Sequence, residues 1–229
     1  MPVLPLDDRS VAQAIEALRS GSPIVIPAPS PLAYAVTGTQ AAAVNTAKER
    51  PATQPVGVSV AGIEVVAPYL DIATAALPLA RWLCESELVS LLVPVRPGTP
   101  GWLAPAISDG MLFFTSTPWL DKAAAIIATF GHLYMSSANM TGGQSATTAA
   151  AAGQAFGDKL IVLDGDAWRD QTRPHGSTTM VRLGRNGDLA VARPGINSAA
   201  FGADLDAYAS DLSQRWHAAS QASRDSEVR

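Results

Sequence analysis

Two cations close a helical stretch in the first quarter of the sequence. Lys48 and Arg50 lie two residues apart and precede Pro51, before which a helix must stop. On the last turn of a helix the two side chains diverge, but once the helix has ended both can converge on one polyanion. The planar fork of arginine and the point charge of lysine together suit phosphate groups. The alternative is that both cations only complement the helix dipole.

Three later segments carry polar groups next to predicted strands. Segment 136–143 (SSANMTGG) follows a strand and supplies hydroxyls, an amide and flexible backbone, at the place where ligands bind in α/β sheets. Segment 176–179 (GSTT) enters a strand, and segment 192–195 (ARPG) leaves one. Because a residue before proline is held extended, Arg193 can point into a site. The alternatives are a polar turn at 136–143 and a surface position for Arg193.

Several signatures of other enzymes are absent. There is no GxxxxGK[ST] phosphate loop, no glycine fingerprint of a dinucleotide fold and no serine within GxSxG. His132, His175 and His217 have no metal-ligand spacing to one another or to Cys84. A metal hydrolase and a GxSxG-type serine hydrolase are therefore disfavoured, and no metal site is predicted. Cys84 is the only cysteine, which precludes an internal disulfide, and we interpret it as a core residue.

Composition limits the class of protein further. The 229 residues, 48% of them hydrophobic, can bury one sizeable core. A net charge of -4 with 16 lysines and arginines gives no general attraction to nucleic acid or anionic membrane. No apolar run reaches the roughly 18 residues of a membrane span, and the first residues lack the pattern of a signal peptide. The expected location is the cytoplasm.

Strands mixed with helices predict an α/β fold with an open, twisted, mixed sheet flanked by helices. The predicted strands are 23–27, 34–37, 56–60, 88–95, 111–114, 133–135, 159–163, 178–183 and 188–192. The predicted helices are 11–20 capped by Ser10, 40–49 capped by Thr39, 62–70, 73–85, 120–130, 146–156 and 203–218. Asn186-Gly187 turns the last two strands into a hairpin. We expect one domain over 1–203, followed by a C-terminal helix and a frayed tail within 204–229.

The order of these motifs resembles that of the YrdC-like family of threonylcarbamoyl-adenylate synthases. The matching pieces are KERP at 48–51 with Pro55, SSANMTG at 136–142, STTMV at 177–181 and ARPGI at 192–196. Each motif alone is weak, but four in this order over residues 10–200 are strong evidence for a YrdC-like fold. In that family threonine, bicarbonate and ATP give threonylcarbamoyl-AMP and pyrophosphate, for tRNA modification at an adenosine.

The resemblance implies one nucleotide pocket in which ATP binds, together with Mg²⁺. Lys48 and Arg50 would hold the triphosphate and act as the catalytic cations, because preorganised cations lower the barrier to pyrophosphate departure. Ser137 and Asn139 would bind the phosphate and ribose region. Ser177 and Arg193 would close the same pocket.

The sequence departs from the family on the amino-acid side of the pocket. A PTDTVYGL-like loop becomes PAPSPLAY at 27–34, so that Ala28, Pro29 and Leu32 replace polar groups. Ser30 alone keeps a hydroxyl and is the candidate substrate-binding residue. A WPGPLT stretch is lost at 85–90, and an expected arginine is Ser116. The nucleotide half of the site is thus retained, whereas the threonine half is rewritten.

Three functions remain open at this point. The first is an enzyme that binds ATP and forms a carbamoyl-adenylate or a similar acyl-adenylate, with threonine or another acceptor. The second is a non-catalytic paralogue that keeps the nucleotide pocket as a binding or regulatory module. The third is an RNA-binding protein, which the acidic balance of charge disfavours.

We predict that the chain does not bind double-stranded RNA tightly, because few phosphates can be neutralised by a chain of this charge. A gel-shift titration in about 150 mM salt should show no sub-micromolar complex. A sub-micromolar shift under those conditions would contradict the prediction.

Overall fold

Eleven strands form one mixed sheet in the computed structural model, which describes residues 3–227. The strands are β1 (Val3–Pro5), β2 (Ile24–Ile26), β3 (Ala35–Gly38), β4 (Gly57–Val60), β5 (Ser90–Pro94), β6 (Ile107–Ser108), β7 (Met111–Thr115), β8 (His132–Ser137), β9 (Ile161–Asp164), β10 (Met180–Leu183) and β11 (Leu189–Arg193). Their order is β1-β9-β2-β3-β8-β4-β7-β5-β10-β11, and β6 pairs with β7 beside this path. Both parallel and antiparallel pairs occur, so the prediction of a mixed sheet is confirmed.

Helices cover both faces of this sheet. They are α1 (Asp8–Arg19), α2 (Ala41–Ala47), α3 (Leu77–Glu85), α4 (Ala124–Phe130), α5 (Ala149–Phe156) and α6 (Leu205–Glu227). Successive side chains of a strand point to opposite faces. Ile24 and Ile26 of β2 accordingly pack with α1 and α4, whereas Val25 packs in the larger cluster with the other four helices. The core therefore has two layers, one on each side of the sheet.

The face under α1 and α4 is covered only in part, and this leaves room for a site. Leu133 of β8 packs in the apolar cluster with α4. Met135 and Ser137 lie further along the same face of β8 and border open space instead. The uncovered part of the face thus begins within β8, next to α4.

Two predicted helix caps are wrong. Helix α1 begins earlier than expected because Asp7, not Ser10, is its N-cap, and the Asp7 carboxylate accepts a hydrogen bond from the Ser10 N–H at 2.8 Å. This bond lowers the pKa of Asp7. Thr39 does not cap α2, since its hydroxyl donates to the carbonyl of Leu18 at 3.1 Å, and Gln40 stands at the N-cap.

Other differences concern the ends and the type of helices. The predicted helix 62–70 is two single 3-10 turns, Ile63–Val65 and Ala67–Tyr69, the second of which contains Pro68. Helix α6 continues beyond the predicted end at 218 as far as Glu227, and the last two residues of the expected tail lie outside the described residues. The hairpin of β10 and β11 is confirmed, with Gly187 at φ +96° in its turn. Within residues 3–227, no helix is long and apolar enough to cross a membrane.

The C-terminal helix α6 packs in the larger core cluster, so we expect substitutions of its buried residues to destabilise the protein. Tyr208 of α6 is 1% exposed, and its ring lies 5.3 Å from that of Phe201. Tyr208→Ala should lower the free energy of unfolding by about 3–5 kcal/mol, as large-to-small changes in a core do. Urea denaturation measures this, with Trp168→Ala as the control because Trp168 is 53% exposed. Equal stabilities of the two variants would show that α6 is not anchored in the core.

Candidate functional site

A pocket of about 650 Å³, counted out to its open mouth, lies on the uncovered part of the sheet. Its floor is one face of the central strands, from which Ala35, Phe113, Thr115, Met135 and Ser137 project. The walls are the loop after β2, the segment before β10 and the end of β11. The further lining residues are Ala28, Leu32, Ala33, Tyr34, Ser90, Thr117, Trp119, Ser136, Gly176, Ser177, Thr178 and Arg193.

Three of the predicted nucleotide-binding residues line this pocket together. Ser137 is the last residue of β8, and Arg193 is the last residue of β11. Ser177 precedes β10, and its hydroxyl lies 2.6 Å from the Ser145 hydroxyl. Arg193 donates to the carbonyl of Thr178 at 3.2 Å. Segments distant in sequence are therefore brought to one opening, while the nucleotide role of these side chains stays a prediction.

Lys48 lies behind the rim of the pocket and is bound to it. Its side chain crosses from the end of α2 to the end of β8, where Nζ donates to the carbonyl of Ser137 and, at 3.1 Å, to Oδ1 of Asn139. Lys48 is only 2% exposed. Burial, and to a lesser degree the charge of Arg50, lower the pKa of the Lys48 ammonium to about 8. A cation is thus buried beside the polar strand end.

Asn139 organises the loop after β8. Its Oδ1 accepts from the Ser137 hydroxyl at 2.6 Å as well as from Lys48, and its Nδ2 donates to the carbonyls of Met140 at 2.9 Å and Gly143 at 3.1 Å. Its amide is therefore used inside the loop, and Asn139 does not line the pocket. The positive φ of +83° at Gly142 reverses the chain there.

Arg50 and Ser30 stand apart from the pocket lining. The Nε of Arg50 donates to the amide oxygen of Asn45, and partial burial lowers the pKa of the guanidinium. The Ser30 hydroxyl lies 3.0 Å from Nε2 of His175 and accepts from the backbone N–H of Asp170 at 2.9 Å. These partners tie the loop of Ser30 to the segment before β10, so the substrate role of Ser30 gains no support from the geometry.

Several residues of the site carry no motif that the sequence would single out. Thr115 and Thr117 line the pocket with their hydroxyls 2.5 Å apart. They flank Ser116, where the resemblance leads one to expect an arginine. Phe113 and Trp119 supply aromatic surface. Phe113 and Thr115 lie in the apolar strand β7, and Thr117 and Trp119 follow it; this position is the only signal that could have pointed to them.

A buried arginine supports one wall of the pocket from behind. The guanidinium of Arg169 donates to the carbonyls of Leu32 and, at 2.8 Å, Thr147, and it lies 4.9 Å from the centre of the Tyr34 ring. The Tyr34 hydroxyl in turn donates to Asp166 at 2.7 Å. Burial, with Asp166 as its hydrogen-bond acceptor, raises the pKa of Tyr34. Leu32 and Tyr34 are therefore held in place as pocket walls.

A second groove lies between α3 and α6 but suits a polyanion poorly. It measures about 990 Å³ with the open space at its mouth, and it is lined by Trp82 and Trp216 and by Glu64 and Glu85, both of which pair with Arg81. None of the predicted site residues lines it. Cys84, in the adjacent α3, is fully buried as predicted, and burial raises the pKa of its thiol to about 12.

The protein is thus an α/β domain with a mixed sheet and a pocket on one face of that sheet. Residues 16–195 match the model of the Sua5/YciO/YrdC family, described as "Telomere recombination". The chain belongs to this family, which confirms the resemblance found in the sequence. Among curated proteins, no sequence matches the chain significantly.

Three solved relatives share the fold at low sequence identity. P. abyssi Sua5 matches with a TM-score of 0.66 and 20% identity in one variant, and with 0.63 and 18% in its complex with L-threonine. Each alignment covers 85% of this chain but only 60% and 58% of the Sua5 chains. E. coli YciO has a TM-score of 0.63 and 16% identity, covering 85% of this chain and 93% of YciO. Full-length HypF in its phosphate- and nucleotide-bound form has a TM-score of 0.63 and 15% identity, covering 83% and 29%.

Because the pKa of Lys48 is lowered in the fold, we expect the free energy of unfolding to depend on pH. A lysine in the unfolded chain titrates near pH 10.4, whereas Lys48 in the fold titrates at about 8. Between these values the unfolded chain binds more protons, so the stability of the wild type rises with pH. Lys48→Met removes this contribution.

The difference in unfolding free energy, wild type minus Lys48→Met, should therefore grow by about 1–3 kcal/mol from about pH 7.5 to pH 10. Urea denaturation at a series of pH values measures it. Lys159→Met, at an exposed lysine that pairs with Glu49, controls for the removal of one charge. Parallel pH profiles for the wild type and Lys48→Met would show that the ammonium is not buried.

Proposed function

We propose that this protein binds ATP in the pocket on the open sheet face and forms an adenylate, as a cytoplasmic threonylcarbamoyl-adenylate synthase-like enzyme linked to tRNA modification. In the family reaction threonine, bicarbonate and ATP give threonylcarbamoyl-AMP, pyrophosphate and water, and a related enzyme would form the adenylate with another amino acid in place of threonine. The family, the likeness to Sua5 complexed with L-threonine and the likeness to nucleotide-bound HypF support this proposal.

The observation that carries the proposal is the cation buried at the end of β8. The ammonium of Lys48 is tied to the carbonyl of Ser137 and to Asn139, and Ser137 itself faces the pocket with Ser177 and Arg193. Hydroxyls and a guanidinium that line one pocket, with a buried ammonium behind the end of β8, form a suitable environment for phosphate oxygens. Such groups are already oriented before a ligand binds, which is what electrostatic stabilisation requires.

The chemistry assigns a role to each of these groups. A carbamate oxygen attacks the α-phosphorus, the bond to the β-phosphate oxygen breaks, and pyrophosphate leaves with its electron pair. Negative charge spreads over phosphate oxygens in the transition state. We propose that Lys48 and Arg50 offset the charge of the departing phosphates, that Ser137 and Ser177 donate hydrogen bonds to phosphate oxygens, and that Arg193 closes the opening.

Mg²⁺ belongs to the proposed substrate rather than to the protein. Among the described residues, no group of three or more histidine, cysteine, aspartate or glutamate side chains could hold a metal ion. Mg²⁺ commonly binds through substrate phosphates and retained water. The substrate we propose is therefore MgATP, in which the ion reaches the pocket with the triphosphate.

A non-catalytic paralogue is the second candidate. Arg193 is the only charged side chain that lines the pocket in the described part of the chain, and the loop after β2 offers Ala28 and Leu32 where the family carries polar groups. Such a protein would keep the nucleotide pocket as a binding or regulatory module. Pyrophosphate release in the presence of bicarbonate and each of the twenty amino acids separates the two candidates, because only the enzyme turns over.

The proposed phosphate contacts predict a loss of ATP affinity in variants at Lys48 and Arg50. Each truncation to alanine should weaken ATP binding by about tenfold to a hundredfold, the equivalent of about 1.5–3 kcal/mol for a charge-assisted hydrogen bond. AMP should lose less affinity, since the cations are expected at the outer phosphates. Arg50→Lys should not restore full affinity, because a point charge cannot replace the planar fork.

Calorimetric titration of ATP and AMP measures these affinities, and melting curves establish that each variant is folded. Arg19→Ala is the control, because the guanidinium of Arg19 is exposed, pairs with Glu16 on α1 and does not line the pocket. If the folded alanine variants bind ATP as tightly as the wild type, Lys48 and Arg50 do not contact the nucleotide and only complement the helix dipole.

A further inference from the structure

Apolar side chains form a large part of the pocket lining, beside the hydroxyls and Arg193. Gly57 of β4 lies between Met135 of β8 and Phe113 of β7 across the sheet, since Gly57 pairs with Met135 and Val58 pairs with Phe114. Glycine has no side chain to fill the space between Met135 and Phe113. The ring of Phe113 occupies the space instead, because a Cβ on Gly57 would lie 2.6 Å from Phe113 Cε1.

Trp119 adds a second aromatic surface with its polar atom turned away. Its indole N–H donates to the hydroxyl of Ser59 at 3.2 Å, and the ring lines the pocket. Ser59 projects from the same face of β4 as Gly57. The hydrogen bond leaves the ring carbons of Trp119 as the surface that a ligand would meet.

The loop after β2 closes this apolar part and is held firmly. Ala28 is 5% exposed and Leu32 is 7% exposed, and both line the pocket. Leu32 forms a parallel bridge with Gly176, and its carbonyl accepts from the buried guanidinium of Arg169. The backbone of Leu32 is thus held in place, and its side chain forms part of the pocket wall.

Two of the hydroxyls that line the pocket lie within hydrogen-bond distance of each other. Thr115 and Thr117, each 6% exposed, have their Oγ1 atoms 2.5 Å apart. A ligand hydroxyl placed against the carbon surfaces of Phe113, Trp119 and Leu32 would lose hydrogen bonds to water and gain none from these three side chains, which is unfavourable. An apolar side chain in the same place would gain by leaving water.

From this arrangement we infer that the acceptor is an amino acid with an apolar side chain, such as leucine or phenylalanine, rather than threonine. The inference deepens the proposed function and rests on it. The nucleotide would lie at the Ser137 end, and the apolar side chain would lie among Phe113, Trp119 and Leu32.

Calorimetry with the wild-type chain saturated with MgATP tests the inference. L-Leucine and L-phenylalanine are titrated alongside L-threonine and L-serine. We expect leucine or phenylalanine to bind at least about tenfold more tightly than threonine. Threonine binding as tightly as the better apolar amino acid, or no binding of any of the four, overturns the inference and leaves ATP binding standing. A chain that does not saturate with MgATP overturns both the inference and the proposed function.

A variant then tests whether the loop wall sets the preference. Leu32→Thr should reduce the ratio of leucine to threonine affinity by about tenfold, because a hydroxyl is added to the wall and two carbons are lost. Leu189→Thr is the matched control, since Leu189 is half-buried in β11 and does not line the pocket. An unchanged ratio in a folded Leu32→Thr variant contradicts the placement of the acceptor against Leu32.

Discussion

The buried ammonium of Lys48 is the interaction on which the site depends. It is only 2% exposed, and it joins the end of α2 to the end of β8 through the carbonyl of Ser137 and the amide oxygen of Asn139. A buried charge is costly unless hydrogen bonds compensate for it, and burial accordingly lowers its pKa to about 8. The positive charge is retained at neutral pH and fixed beside a pocket that has few charges of its own.

The incomplete cover on one face of the sheet determines where that pocket forms. Helices α1 and α4 bury Leu133 and the residues of β2 that share its face, but they do not reach Met135 or Ser137 further along β8. Hydroxyls at the strand ends border one part of the opening, and Phe113 and Trp119 border another. In the polar part, Ser137, Ser177 and Arg193 line one pocket, as the nucleotide motifs predict. Ala28 and Leu32, which also line the pocket, lie in the loop where the sequence analysis expects a departure from the family pattern.

Much of the fold could be predicted because it depends on local patterns. The Asn186-Gly187 turn, the apolar strands and the polar segment after β8 each leave a signal within a few residues. The helix predicted at 62–70 was wrong because apolar spacing outweighed Pro68, which lies within the second of two 3-10 turns. The site was harder to predict because its hydrogen bonds join residues distant in sequence. Lys48 to Ser137 and Arg169 to Leu32 are examples that no local pattern contains.

The pocket and the groove between α3 and α6 offer a direct test of where the nucleotide binds. In an NMR titration with a non-hydrolysable ATP analogue and Mg²⁺, the account predicts that the backbone amides of Ser137, Asn139 and Ser177 shift and saturate together. The amides of Trp82 and Trp216, in the groove between α3 and α6, should not move. Shifts confined to that groove, or no shift at Ser137 and Ser177 at saturating nucleotide, would contradict the central claim that this pocket is a nucleotide site.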